Sequence, residues 1–326
     1  MTDRRTFSAA LGASLLSLAA VPTWAQAAAY PNKPIRIVVP FAPGGGGDAV
    51  VRSIVEKLGE RLGTSVIIDN RPGASGYIGA QIVTTAAPDG YTLLMGFDGS
   101  LVVAPHLIKA PFDASADFVP VTKLNDAALV IAVHPSLQAK TLKDLIEISK
   151  TRPGGLEFGS AGAGTTTHLA GELLALRSGM RAKHIPYKGG GQAVIDVASG
   201  QLPMIITVVP TLAPFIRDGR LTAIAVTGAR RAAILPDVPT LAESGVPDFD
   251  VTSWYGILAP AKTPQPIVDR LQKDIAAVLQ IPEIKERYLK GGFEPVGNTS
   301  EEFRRQIAAD YTRWGKVVKD ADIRLE

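Results

Sequence analysis

Short apolar runs alternate with amphipathic stretches along most of this chain. Residues 35–40 (IRIVVP) are apolar and β-branched, and over 48–62 the apolar positions Val50, Val51, Ile54, Val55, Leu58 and Leu62 recur at helical spacing. The pattern predicts a strand, a glycine-rich turn and a helix. It continues with a strand at 66–68 before a helix at 77–86, and a strand at 93–95. Strand and helix then follow at 129–133 and 142–149, 157–160 and 166–177, 183–185 and 192–198, and 204–208 and 212–216, before a strand at 221–227. From Pro264 the chain reads as helical to its end. Pro264 and Pro266 suit a first helical turn, and Thr299 or Ser300 ahead of Glu301 and Glu302 suits another N-terminus. Such alternation predicts an α/β protein whose parallel-rich sheets are covered by helices, because strands buried on both faces read as continuous apolar runs.

Composition narrows the chemistry. A chain of 326 residues suggests two domains at about 150 residues each. With 46% hydrophobic and 20% charged residues it has the makeup of a packed globular protein. The absence of cysteine excludes a disulfide scaffold, a thiolate nucleophile, and any zinc or iron–sulfur site built on thiolates. Basic and acidic residues number 34 and 31, a formal charge of +3, and no basic run exceeds two residues, as at Arg230 and Arg231. That is not the clustered charge of a nucleic-acid binder, so nucleic acid is not an expected partner.

The N-terminus predicts export. Arg4 and Arg5 lead into a leucine- and alanine-rich stretch too short to span a bilayer, and Ala25-Gln26-Ala27 forms a small-x-small cleavage pattern. Residues 1–27 therefore read as a secretory signal peptide. Asp3-Arg4-Arg5-Thr6-Phe7 also resembles a twin-arginine signal, so both export routes stay open. No cysteine is available for lipid attachment, and no later apolar stretch is long enough to span a membrane. The expected product is a soluble, periplasmic protein.

The candidate chemistry lies in four glycine turns, each between a strand and a helix. They are Pro43 to Asp48, Asn70 to Gly76, Gly159 to Thr165, and Tyr187 to Gly191. In open α/β sheets ligands bind beyond the carboxyl ends of the strands. Glycine lets backbone approach a ligand, and the unpaired N–H groups and dipole of a helix N-terminus favour an anion. A small anionic ligand follows, against the simpler reading that these glycines only make tight turns. Nucleotide motifs fail: the first turn lacks the Gly-Lys-Ser/Thr ending, and Gly162-Ala163-Gly164-Thr165-Thr166-Thr167 lacks the last glycine of the dinucleotide fingerprint. Neither Ser75 nor Ser160 stands in a Gly-x-Ser-x-Gly elbow, and His106, His134, His168 and His184 include no i, i+4 pair. His168 suits a ligand contact or a packing role equally, whereas His134 before Pro135 suits a turn. Arg71 and Lys188 flank glycine turns and could each pair with a carboxylate. Trp254-Tyr255 could form an aromatic wall or belong to the core, and Asp48 is expected as a helix N-cap rather than a ligand group.

A set of short motifs then falls in order along the chain. Ile37-Val38-Val39-Pro40-Phe41-Ala42-Pro43-Gly44-Gly45 with Asp48 is followed by Asn70-Arg71-Pro72-Gly73-Ala74, Pro88-Asp89-Gly90-Tyr91-Thr92-Leu93 and Asp117-Phe118-Val119-Pro120-Val121. Gly159-Ser160-Ala161-Gly162, Gly164-Thr165 and His168-Leu169-Ala170-Gly171-Glu172 come next, then His184-Ile185-Pro186-Tyr187-Lys188-Gly189, Leu235-Pro236-Asp237-Val238-Pro239-Thr240 and Ser253-Trp254-Tyr255-Gly256. The chain resembles the tripartite tricarboxylate transporter substrate-binding proteins, the Bug family.

That resemblance implies a type II-like, two-lobed periplasmic binding protein fold, with parallel-rich sheets flanked by helices and lobes joined by crossing strands. Lobe one would hold residues 28–126 and 253–326, and lobe two residues 127–252. It implies no catalytic residue, no metal and no cofactor, but a monomeric receptor that closes on a small carboxylate and presents it to the membrane subunits of a tripartite transporter. The ligand would be a di- or tricarboxylate or an aromatic acid. By resemblance, lobe one contributes Phe41, Ala42, Gly44, Gly45, Gly73 and Ala74, and lobe two Ser160, Gly164, Thr165 and His168. Where many relatives read Asp-Asn, this chain has Thr207 and Val208, so Thr207 joins the candidates and the distal pocket is expected to be less polar, suiting an apolar or aromatic body. A periplasmic ligand-sensing subunit, and a hydrolase using the same cleft, are the alternative functions.

Overall fold

The computed structural model describes residues 30–41, 43, 46–187 and 189–324. The expected signal peptide at 1–27 lies outside the described residues. The chain runs β1 (Ile35–Val39), α1 (Gly46–Leu62), β2 (Val66–Asn70), α2 (Tyr77–Thr84), β3 (Thr92–Phe97), β4 (Phe118–Val133), α3 (Leu142–Thr151), β5 (Leu156–Ser160), α4 (Thr166–Ser178) and β6 (Ala182–Pro186). It continues α5 (Gly190–Ala198), β7 (Met204–Val208), α6 (Val209–Arg217), β8 (Thr222–Val226), β9 (Thr252–Pro260), α7 (Gln265–Leu279), α8 (Pro282–Lys290), β10 (Glu294–Pro295) and α9 (Ser300–Asp320).

The strands follow the order β2-β1-β3-β9-β4-β7-β5-β6, with β8 and β10 also on β4. β1 is parallel to β2 and β3, and β5 is parallel to β6 and β7, as helix crossovers require. Around the two long strands the pairing is antiparallel: β9 joins β3 to β4, and β4 pairs with β7, β8 and β10. The sheet is therefore mixed.

β4 belongs to both halves. Its 16 residues pair with β9 over Phe118–Ala128 and with β7 over Leu129–Val133. Sequence periodicity predicts a strand only at 129–133. The preceding segment carries Thr122, Lys123, Asn125 and Asp126, which break the apolar run, yet it is strand because β9 and β10 flank it. Beyond residue 129 the strand is apolar on both faces. Leu129, Ile131 and Val133 enter one core cluster with Phe158 and Trp254, and Val130 and Ala132 enter a second with Val194, Ile205 and Leu212.

The helix ends are sequence-encoded. Thr141 with Asp144 and Thr299 with Glu302 form capping boxes at α3 and α9. Pro264 caps α7 rather than lying within it, and Pro266 stands in the first turn. The expectation of unbroken helix after Pro264 is corrected at β10, which adds to the β4 edge between α8 and α9. α9 seals the back of the first sheet, where Trp254 meets Phe303 edge-on at 5.1 Å and donates from Nε1 to Asp310 at 3.0 Å. Among the described residues no helix is long and apolar enough to cross a membrane.

Candidate functional site

Period two along β9 separates its adjacent aromatics. Trp254 is buried against α9, and Gly256 faces the same way, since a Cβ there would fall 2.3 Å from the Phe303 ring. Tyr255 faces the opposite side. In register with it stand Phe97 on β3 and Asn125 on β4, which forms a row across three strands on one face. Phe41, just beyond β1, lies 4.8 Å from Phe97 and 6.0 Å from Tyr255, and Phe293 lies 6.2 Å from Tyr255. These rings make an aromatic floor, so Tyr255 is the wall residue of the pair and Trp254 the core residue.

Three helix N-termini meet this floor. A Cβ on Gly46, the first residue of α1, would fall 3.6 Å from both the Tyr255 hydroxyl and the Phe293 ring. Gly76, the cap of α2 at φ +92°, has the Phe97 ring 2.7 Å from its own Cβ position. Asp98 follows Phe97, is buried, and accepts from Thr166 Oγ1 at 2.5 Å and Ser253 Oγ at 2.9 Å. Thr166 is the first residue of α4. One carboxylate thus ties α4, on the β5 side of the sheet, to the β3 and β9 strands at the floor. Burial pushes the Asp98 carboxyl up to about 6, opposed by its hydrogen bonds from Thr166, Ser253 and the Gly99 backbone.

The first turns are held by side chains from the neighbouring strand. Asn70 at the end of β2 donates from Nδ2 to the Phe41 carbonyl at 3.0 Å and to Asp48 Oδ1 at 2.8 Å. Asp48 also receives Arg52 Nε at 2.6 Å. It lies inside the first turn of α1, not at the cap, so its expected N-cap role is replaced by a buried tie between two turns. Arg71 is exposed and pairs with Asp69 at 2.9 Å. Gly73 has φ +129° and Ala74 φ +45°, a left-handed backbone that costs strain in a residue with a Cβ. Of the lobe-one candidates, Ala42, Gly44 and Gly45 lie outside the described residues, as does Lys188.

The turn after β5 is a closed polar network. Ser160 Oγ receives the Gly162 N–H at 3.0 Å and pairs with His184 Nε2 at 2.7 Å. His184 stacks on His168 with centroids 3.7 Å apart, and His168 Nδ1 accepts from the Gly164 N–H at 3.2 Å. Thr165 caps α4, donates to the Gly162 carbonyl at 2.7 Å and meets Thr167 Oγ1 at 2.8 Å. Burial and the facing His168 ring hold His184 down at about 3. It is therefore neutral and a weak base toward Ser160. His168 is buried with its Nδ1 engaged by the Gly164 N–H, and His134 caps the short helical turn at Pro135–Leu137, as its place before proline predicts.

Ser160, Gly164, Thr165 and His168 are thus brought together, and Thr166 connects their turn to the floor beside Phe41. Thr207 stands elsewhere, with its hydroxyl 2.5 Å from the Cβ position of Gly190 at the start of α5. Asp98, Thr166, Ser253 and Asn125 escape the sequence reading. Asp98 alone carries a signal, as a lone acid directly after an apolar strand.

Comparison with known proteins identifies the family. Residues 50–323 match the family described as tripartite tricarboxylate transporter family receptor. Protein BugT of Bordetella pertussis is 36% identical over 313 residues, spanning 95% of this chain and 96% of that protein. A solved R. palustris protein with adipate superposes with a TM-score of 0.83 at 34% identity, covering 90% of this chain and 99% of that one. MatC from Rhodopseudomonas palustris with bound malate superposes with a TM-score of 0.79 at 29% identity, covering 89% and 100%.

Proposed function

Since the chain belongs to the tripartite tricarboxylate transporter receptor family of periplasmic solute-binding proteins, with their two-lobed fold, we propose that it captures a small carboxylate between its lobes and delivers it to transporter membrane subunits. The observation that carries this reading is the convergence of the N-termini of α1, α2 and α4 on the Phe97, Asp98 and Tyr255 floor. Helix dipoles there favour an anion, and the rings favour an apolar body. The relatives solved with adipate and malate support the same ligand class.

In this reading lobe one comprises residues 28–126 and 253–326 and lobe two residues 127–252, and residues 1–27 are removed on export to the periplasm. The ligand's contacts would come from Phe41, Ala42, Gly44, Gly45, Gly73 and Ala74 of lobe one and from Ser160, Gly164, Thr165 and His168 of lobe two, with Thr207 at a distal, less polar end. The ligand is a di- or tricarboxylate or an aromatic acid. Closure of the lobes is the delivered signal. A hydrolase reading would draw on the Ser160 and His184 contact, but a histidine held near 3 removes little proton density from a hydroxyl.

The test is a thermal-shift screen of protein refolded once to strip carried ligand, against mono-, di- and tricarboxylates, aromatic acids and amino acids. A ligand at a hundredfold excess over Kd stabilises the native state by about 2.7 kcal/mol. Shifts confined to carboxylates support the receptor, whereas a folded protein indifferent to all of them defeats it.

A further inference from the structure

The aromatic floor contains one polar side chain with nothing to bond. Asn125 is fully buried, and among the described residues neither its Nδ2 nor its Oδ1 has a hydrogen-bond partner. Native proteins leave few such groups, because a buried amide that has lost its water and gained nothing in return is destabilising. Its backbone is well placed, between Tyr255 on one edge and Pro295 on the other. The register that pairs it with Tyr255 puts its side chain on the face of Phe97 and Tyr255, away from Trp254 and α9. That is the face on which the N-terminus of α1 arrives.

Several polar groups near that row are already engaged. Asp98 and Ser253 bond each other, and Asp98 also holds Thr166. On the neighbouring strand positions Lys123 is neutralised by Asp126 at 2.8 Å. An amide so placed offers an Nδ2–H donor and the Oδ1 acceptor side by side, with a second N–H on Nδ2. A carboxylate would take the donor but set its charge against Oδ1 among aromatic rings and near the buried Asp98. A hydroxyl satisfies both, accepting from Nδ2–H and donating to Oδ1.

We infer that Asn125 is a specificity-determining residue of the cleft, and that it selects carboxylates bearing a hydroxyl over their unhydroxylated counterparts, with an apolar or aromatic body over Phe97 and Tyr255. The inference rests on the carboxylate reading above. The carboxylate sits at the helix N-termini, the body lies over Phe97 and Tyr255, and the hydroxyl reaches the β4 amide.

Isothermal titration with matched probes decides it: 4-hydroxybenzoate against benzoate, and 6-hydroxyhexanoate against hexanoate, with adipate as a plain dicarboxylate control. The wild type should bind at least one hydroxylated probe about tenfold or more tighter than its partner, since a site built to bond a hydroxyl rejects the analogue that lacks it. Asn125→Leu should abolish that preference while leaving the unhydroxylated probe bound equally or more tightly, and its melting temperature should hold or rise. Asn125→Ala gives the same readout if Leu does not pack. Equal binding of both members of each pair by the wild type, or a preference that survives in the variants, means that Asn125 holds a buried water only and overturns the inference. Carboxylate recognition would stand in that case. Failure of every probe, adipate included, would instead strike the carboxylate reading itself.

Discussion

The turn after β5 and the turns after β1 and β2 are both glycine-rich strand-to-helix connections, yet they are built on opposite principles. The β5 turn is self-sufficient: Ser160, Gly162, Gly164, Thr165, Thr167, His168 and His184 satisfy one another. The first-sheet turns lie on rings, pinned from outside by Asn70 and Asp48, and their floor leaves Asn125 unpaired. A closed network fixes the geometry of its turn, whereas an aromatic floor shapes the ligand's body. The two are joined through Asp98.

Breaking the join should have the largest effect. A carboxyl raised in the folded state stabilises fully below its unfolded value of 3.8, and that contribution is lost as pH rises through about 6. Wild type and Asp98→Asn should therefore unfold at similar denaturant concentrations near pH 4. By pH 7 the variant should be the more stable, by on the order of 3 kcal/mol. Parallel curves across that range would show that Asp98 does not bear the burial described. His184 acts with the opposite sign: its depressed value removes stability as pH falls from 6.5 toward 3, so acid should loosen the β5 turn first, visible as early amide exchange at 160–168.

Next in size is the seat of α4. A Cβ on Gly171 would lie 2.3 Å from the Phe158 ring, in a buried contact with no room to yield. Gly171→Ala should cost about 2 kcal/mol by chemical denaturation. The matching change in the first sheet, Gly47→Ala, meets the end of Met95 and the Phe41 ring at 2.6 and 2.8 Å. Met95 can swing aside and alanine favours helix, so stability should change by less than about 1 kcal/mol while carboxylate affinity falls through the displaced Phe41. Equal destabilisation by the two substitutions would erase the contrast between a rigid and an adaptable region.

Between these lies Ser160→Ala, which leaves His184 Nε2 and the Gly162 N–H without their partner. A loss of about 1–2 kcal/mol is expected, read from the unfolding midpoint. A neutral result would mean that water replaces the hydroxyl, and that the network is less closed than its distances imply.

Much of this architecture was legible in local signals. The β-branched runs marked the parallel strands, the glycines marked the turns, and Thr299 with its following acids marked a helix start. The family motifs assembled Ser160, Gly164, Thr165 and His168 on one turn. The first eleven residues of β4 were not legible, since Thr122, Lys123, Asn125 and Asp126 carry no strand period. Asp48 was misplaced for a related reason: its partner Asn70 is 22 residues away.

The sequence by itself determined the α/β class, the glycine turns, the helix caps and the family, because each depends on neighbours a few positions apart along the backbone. Tertiary structure alone decided which of two adjacent aromatics became wall and which became core. It also decided that Asp98 would reach Thr166 across 68 residues, and that Asn125 would be buried without a partner. Those outcomes depend on register between strands distant in the chain, where one step along a strand turns a side chain to the other face.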